Sequence, residues 1–282
     1  MDWDNYYEKR DLGPVMWFCE EDIIKISQTY HISYPFAKFL WRRTEHSVRT
    51  FESMEIAEGM SILEVGCGTG SFSAGLILAN QGKTFRMVAL DYSSEGIRSS
   101  QERFKELALN QCSLIVSDIL TLPFHNDTFD IVIAPSVIEH VPSQQEALLE
   151  MARVCRGKVI ISTDNSFGKL GTLGLNTFMA LGGKILRKLK ILPASKVHFI
   201  SNTPQGFRRK TEKADLNIEV FEFTHFSVPF FSTILNLNKS LPHFCQNWLH
   251  KALSYLEIKS RESRFGYLHA MFIAIATKKS KI

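Results

Sequence analysis

The run Ile62-Leu63-Glu64-Val65-Gly66-Cys67-Gly68-Thr69-Gly70 constrains this chain more than any other stretch. A short apolar segment leads straight into three alternate glycines, and residues 71–80 beyond them read as a helix. Glycine takes positive φ at little steric cost and lets a ligand approach the backbone, and the first turn of the helix presents unsatisfied N–H groups. A strand, glycine turn and helix in this order suit a nucleotide or a carboxylate and belong to α/β folds. The spacing is GxGxG rather than the GxGxxG of dinucleotide sites, and Glu64 stands two residues before the first glycine. A carboxylate there would repel a pyrophosphate. A site for a cationic sulfonium amino acid tolerates it.

The pattern around the turn supports the same class. Residues 61–65, 85–90, 113–117, 129–134 and 158–162 read as strands, and 95–109 and 143–155 as helices between them. That alternation implies a mostly parallel sheet with helices on both faces. It stops after Thr163. Residues 164–215 read as irregular, Gly-rich and basic, 219–226 and 268–277 as two late strands, and 229–256 as an aromatic, helical excursion between them. The expected organisation is an N-terminal helical cap (1–55), a cofactor-binding core (56–163), a basic and apolar insertion (164–215) and C-terminal strands of the same sheet (216–282).

Composition narrows the setting. With 282 residues, 45% hydrophobic and 22% charged, the chain can bury a full core as an ordinary globular protein. Its five cysteines are odd in number and include no CxxC pair, so neither a disulfide framework nor structural zinc is expected, and no metal. The start Met1-Asp2-Trp3-Asp4 is unlike a secretory signal, and no apolar run approaches the roughly 20 residues that span a bilayer. A cytoplasmic protein is the expectation.

Two further carboxylates follow strands. Asp91 closes the second strand, 21 positions after Gly70, where it can accept both hydroxyls of a ribose. Its other reading is an N-cap for the next helix, a role open to Ser93 or Ser94. Asp118, after the third strand, could accept an adenine amino group, with Ile119 offering a backbone N–H and an apolar face.

Taken together, Leu63 to Gly70, Leu90-Asp91-Tyr92-Ser93, Ser117-Asp118-Ile119, Phe129-Asp130-Ile131-Val132 and Glu139-His140-Val141 resemble the small-molecule branch of the class I S-adenosylmethionine-dependent methyltransferases. The likeness covers roughly residues 55–163. It implies a Rossmann-like, seven-stranded sheet whose last strand inserts antiparallel, S-adenosylmethionine as cofactor and S-adenosylhomocysteine as product. By position, Glu64 and Gly66 would face the methionine part within the turn that also holds Cys67, Gly68 and Gly70. Asp91 would hold the ribose with Tyr92 beside the adenine, Asp118 and Ile119 would hold the adenine, and Ala134 to Ser136 would lie beneath the methionine amino group. Pro135 departs from the small or polar residue expected there.

Methyl transfer from a sulfonium asks the protein to align the acceptor and exclude water, with a base only where the acceptor must lose a proton. His140 is the leading candidate base, with His31, Tyr34 and His198 in segments expected to cover the site. From Asn165 to Thr211 there is no acidic residue against nine basic ones, +9 in a chain whose net charge is +4. With its interleaved leucines this segment suits an anionic membrane surface or an anionic substrate, or simply caps the site. A small-molecule or lipid-like acceptor is therefore expected, with peripheral membrane contact through 165–211. An RNA methyltransferase using that segment is the alternative, but no Asn-Pro-Pro-Tyr-type motif or RNA-binding module supports nucleic acid as partner.

Overall fold

The computed structural model describes residues 54–166, 200, 202–226 and 269–279, together with 28, 242, 244–248, 251–252 and 255. The first strand, β1 (Ser61–Val65), runs through the turn into α1 (Ser71–Ala79), followed by β2 (Arg86–Asp91), α2 (Ser94–Glu106) and β3 (Cys112–Val116). Then come β4 (Phe129–Pro135), a 3₁₀ turn (Ile138–His140), α3 (Gln144–Val154) and β5 (Cys155–Asp164). Helix α4 (Pro204–Lys213) leads into β6 (Leu216–Phe226), and β7 (His269–Lys278) completes the sheet.

The seven strands lie in the order β3-β2-β1-β4-β5-β7-β6. Strands β1 to β5 are parallel, while β7 inserts antiparallel between β5 and β6. This is the Rossmann-like, mostly parallel sheet with an antiparallel end that the sequence implied. Because β1 lies between β2 and β4, the chain reverses direction across the sheet there. Open α/β sheets leave a crevice beyond their carboxyl ends at such a switch point.

Burial on both faces follows the two-residue period of a strand. Leu63 and Val65, Val132 and Ala134, Val159 and Ile161, and Phe272 and Ala274 face one side, against Leu148 and Met151 of α3 and Phe207 of α4. Ile62, Ile131, Ile133, Ile160, Ile273 and Ile275 face the other, against Phe72 and Leu76 of α1 and Phe104 of α2. Their near-continuous apolar runs are what a doubly covered sheet requires.

Helix α4 corrects the reading of 164–215 as irregular throughout. Thr203 caps it by accepting the Gly206 N–H at 3.0 Å, and Pro204 occupies its first turn, a start signal legible in the sequence. Its basic residues also serve packing. The Arg208 guanidinium sits 4.3 Å over the Phe221 ring, and Lys210 donates to Asn202 Oδ1 at 2.9 Å and to Gln144 Oε1. The other six basic residues of that segment, and the helical cap expected over 1–55 apart from residues 28, 54 and 55, lie outside the described residues. Strand β5 also starts three residues before the expected 158, because its first residues pair with the start of β4 through an irregular step between Phe129 and Ile131. Among the described residues, no helix is long and apolar enough to cross a membrane.

Candidate active site

Gly66, Gly68 and Gly70 all take positive φ, at +73°, +53° and +66°. The turn is tied down from below, since the N–H groups of Gly66 and Cys67 both donate to the Leu90 carbonyl, at 2.7 and 2.9 Å. It is tied from the side by α2, where Ser100 Oγ donates to the Gly68 carbonyl at 2.7 Å and Arg103 Nε to the Thr69 carbonyl at 2.7 Å. Val137 packs over Gly66, so that a β-carbon there would lie 2.4 Å from its Cγ2. Gly66→Ala should combine left-handed strain with this clash and lose about 1–3 kcal/mol of stability, read by urea denaturation. A variant as stable as wild type would show that the turn yields.

Asp91 is almost fully buried at the carboxyl end of β2. Its Oδ2 accepts the Gly68 N–H at 2.8 Å and its Oδ1 accepts the Ser93 N–H at 2.8 Å. The helix-capping role falls to Ser93, whose Oγ accepts the Gly96 N–H at 2.9 Å. Asp91 is thus a clamp on the glycine turn as well as a wall of the crevice. A carboxylate offers about four acceptor sites, so these contacts are compatible with a ribose diol.

The crevice beyond β1, β2 and β4 holds a cavity of about 440 Å³. Of the expected cofactor contacts it brings together Gly66, Asp91, Tyr92, Asp118, Ile119 and Ser136, and His140 stands on its wall. Asp118 Oδ1 accepts the Leu120 N–H at 2.9 Å, which shapes the turn after β3. The loop beyond is held by Arg153, whose guanidinium donates to the carbonyls of Leu122 and Phe124 at 2.9 and 2.7 Å. Tyr92 is exposed where it lines the cavity. The cavity is also lined by Val65, Leu90, Ser117, Leu120, Val137, Val141 and Pro142, which sequence reasoning missed. Val65 and Leu90 stand near strand ends and the others in the loops beyond β3 and β4, and nothing in the sequence marks the apolar ones as different from core.

Five expected contacts do not line the cavity. Glu64 follows the face of Ile62, opposite to Leu63 and Val65, and is buried beneath the turn with its Oε2 accepting the Ser73 hydroxyl of α1. Burial pushes its carboxyl up to about 8, opposed by the Ser73 hydrogen bond and reinforced by the nearby Asp91 charge. The period of the strand, which sequence reasoning overlooked here, turns this side chain away from the cavity. Cys67 packs with Ala89 and Ile97, and burial holds its thiol well above the ordinary range. Gly68 spends its N–H on Asp91, and Gly70 is the N-cap of α1. Ala134 is buried in the core. Pro135 closes β4 without an N–H, and Ser136 at φ +56° supplies one to the Ser162 carbonyl at 3.0 Å. His31, Tyr34 and His198 lie outside the described residues.

The 3₁₀ turn that carries His140 is set by buried polar contacts. Glu139 Oε2 accepts the Thr163 hydroxyl at 2.9 Å across to β5, and Gln144 Nε2 donates to the Ile138 carbonyl at 2.8 Å. The described lining of the cavity contains two aspartates and neither lysine nor arginine. Such an acidic, phosphate-averse crevice suits a cationic sulfonium carrying an amino group, a ribose and an adenine, and its volume lies within the ordinary ligand range.

Fold, switch point and crevice define a class I, Rossmann-like methyltransferase. The chain belongs to the family described as "Methyltransferase domain", whose model matches residues 56–205, just over half its length. It is an S-adenosylmethionine-dependent methyltransferase. It is 28% identical over 197 residues to the demethylmenaquinone methyltransferase of Staphylococcus aureus, covering 66% of this chain and 78% of that one. It is 31% identical over 176 residues to that of Bacillus cytotoxicus, covering 58% and 71%. Among solved structures the fold is shared with a magnesium protoporphyrin IX methyltransferase from Synechocystis with bound S-adenosylhomocysteine (TM-score 0.53, 17% identity, 86% and 87% covered). It is shared also with a geranyl diphosphate methyltransferase (TM-score 0.56, 13% identity, 84% and 78% covered).

Removing the Asp91 carboxylate strands the buried Gly68 N–H and any ribose hydroxyl directed at it. Asp91→Ala should therefore weaken S-adenosylmethionine binding by about 1–3 kcal/mol, measured by titration calorimetry. Unchanged affinity would take Asp91 out of the cofactor contacts.

Proposed function

We propose that this enzyme methylates a small acceptor with an apolar, lipid-like body, of the quinone-headed kind named for its curated relatives. The observation that carries this reading is the composition of the cavity. Asp91 and Asp118 stand at the cofactor side, while Leu120, Val137, Val141 and Pro142 form apolar wall close to His140. Bound S-adenosylmethionine supplies an activated methyl group for in-line displacement. Asp91 would hold the ribose, Asp118 and Ile119 the adenine, with Tyr92 over the mouth and Gly66 and Ser136 against the methionine end. His140 would take the proton that a hydroxyl or acidic carbon must lose. The apolar wall would orient the acceptor and keep water from the transfer.

Two features favour this over an RNA substrate. The crevice is acidic where a nucleic-acid channel would be basic, and Arg208 and Lys210 of the basic segment pack against Phe221, Gln144 and Asn202. The setting we propose is the cytoplasm, with the segment 165–211 touching the membrane periphery. The test is transfer of labelled methyl to fractionated lipid, small-molecule, RNA and protein pools, with a demethylated naphthoquinol as a defined acceptor. Label in the lipid or small-molecule pool is the expected result. Label confined to RNA or protein would overturn the reading.

A further inference from the structure

Residues 244–248 are helical, as are 251, 252 and 255. The Pro242 carbonyl accepts the N–H groups of Cys245 and Gln246 at 2.9 and 3.1 Å. Phe244, Trp248, Lys251 and Tyr255 follow one another at intervals of four, three and four residues, the spacing that lays side chains along one helical face. Gln246, on the opposite side of the same turn, is 2% exposed. Among the described residues of this stretch, Gln246 is buried while Phe244, Trp248, Lys251 and Tyr255 are exposed.

The stripe is anomalous. Phe244, Trp248 and Tyr255 are 74%, 71% and 62% exposed, and they are three of the seven strongly exposed large apolar side chains among the described residues. Of the other four, Tyr92 lines the cavity, and Val116, Leu149 and Val220 come from three separate elements. Scattered exposed apolar residues are ordinary, whereas a cluster of aromatics on one face marks a contact surface. Up to Leu256, the sequence that carries the stripe has one sign of charge, with Glu257 just beyond it. From Phe223 to Leu256 there is no aspartate or glutamate, while Lys239 and Lys251 are present, with His225, His243 and His250.

We infer that this stripe seats the enzyme on the surface of an anionic phospholipid bilayer. Tryptophan and tyrosine join an apolar ring to a polar tip and settle at the level of lipid headgroups. Phe244 supplies apolar area to enter the acyl boundary, and Lys251 in the same stripe meets anionic headgroups. Charge argues against a second copy of this chain as the occupant. A two-fold contact through the stripe would bring like-charged surfaces together with no acidic residue between Glu222 and Glu257 to answer Lys251. The stripe lies apart from segment 165–211 in the sequence and none of its residues lines the cavity, so it concerns where the enzyme works rather than what it methylates.

The test is flotation of the purified full chain with phosphatidylcholine vesicles, with and without phosphatidylglycerol. Wild type should float with the phosphatidylglycerol vesicles. A double variant, Trp248→Ala with Tyr255→Ala, should lose on the order of tenfold in partitioning, and Lys251→Glu should lose binding to the anionic vesicles selectively. Titration calorimetry with S-adenosylmethionine, unchanged in these variants, shows that the site remains folded. Wild type that fails to float, or variants that float equally well, would overturn the inference. So would a concentration-dependent dimer, or a tightly held protein partner, abolished by the same substitutions while vesicle binding persists. Failure to methylate any lipid-like acceptor would defeat the proposed function and leave the vesicle result standing.

Discussion

Replacing His140 with alanine should lower kcat by about 10²–10⁴, the range that a positioned general base contributes, while S-adenosylmethionine affinity stays within a factor of a few. An imidazole nitrogen can accept the proton that a hydroxyl or acidic carbon gives up. Its place is set by structure rather than chance. The 3₁₀ turn begins three residues after β4 ends, Val137 covers Gly66, and His140 reaches the wall of the same cavity. The Glu139–Thr163 and Gln144–Ile138 contacts hold that turn to β5 and α3. Partial rescue of the His140→Ala rate by added imidazole, with a solvent isotope effect that the variant loses, would identify proton removal. Full activity in the variant would mean that the acceptor needs no base from this residue.

Glu64→Gln should stabilise the protein at pH 8 by several kcal/mol relative to wild type and do little at pH 4.5. Burial raises the Glu64 carboxyl from about 4.5 to about 8, so the folded protein keeps its proton over a range in which the unfolded chain has lost it. Stability is then full below about 4.5, falls as pH rises, and levels off above about 8. Across about 3.5 pH units at about 1.4 kcal/mol each, the loss approaches about 5 kcal/mol. Glutamine has nearly the same shape, accepts the Ser73 hydroxyl and carries no charge to desolvate. Urea unfolding of both proteins at intervals from pH 4.5 to 8.5 reads the difference directly. Parallel pH profiles would show that Glu64 ionises without cost where it lies.

The two predictions differ in what the sequence alone could supply. The place of His140 on the cavity wall was legible because it follows an apolar run expected to end at that side, while its role as a base is what the first prediction tests. Glu64 was legible as unusual, yet its direction was not. It was expected to face the methionine part, and the alternation of β1 turns it to the opposite face with Ile62, against Ser73. Helix α4 was missed although Thr203-Pro204 carries its start signal, because the basic run after Gly206 drew attention to charge instead of to Phe207, which is fully buried against Phe272.

By itself the sequence determined the strand, glycine turn and helix, the alternation of elements up to residue 164, and the two carboxylates that follow β2 and β3. These are local matters of φ, periodicity and burial, and each is written within a few neighbouring residues. Tertiary structure decided what lies across the sheet. It assigned Asp91 to clamp Gly68, Ser93 to cap α2, Val137 to cover Gly66, and α4 to pack its basic side chains on β6 and α3. Each of those contacts joins groups on separate elements brought together only when the sheet closes. Their energies depend on distance and desolvation in the folded chain, and no spacing along the sequence records them.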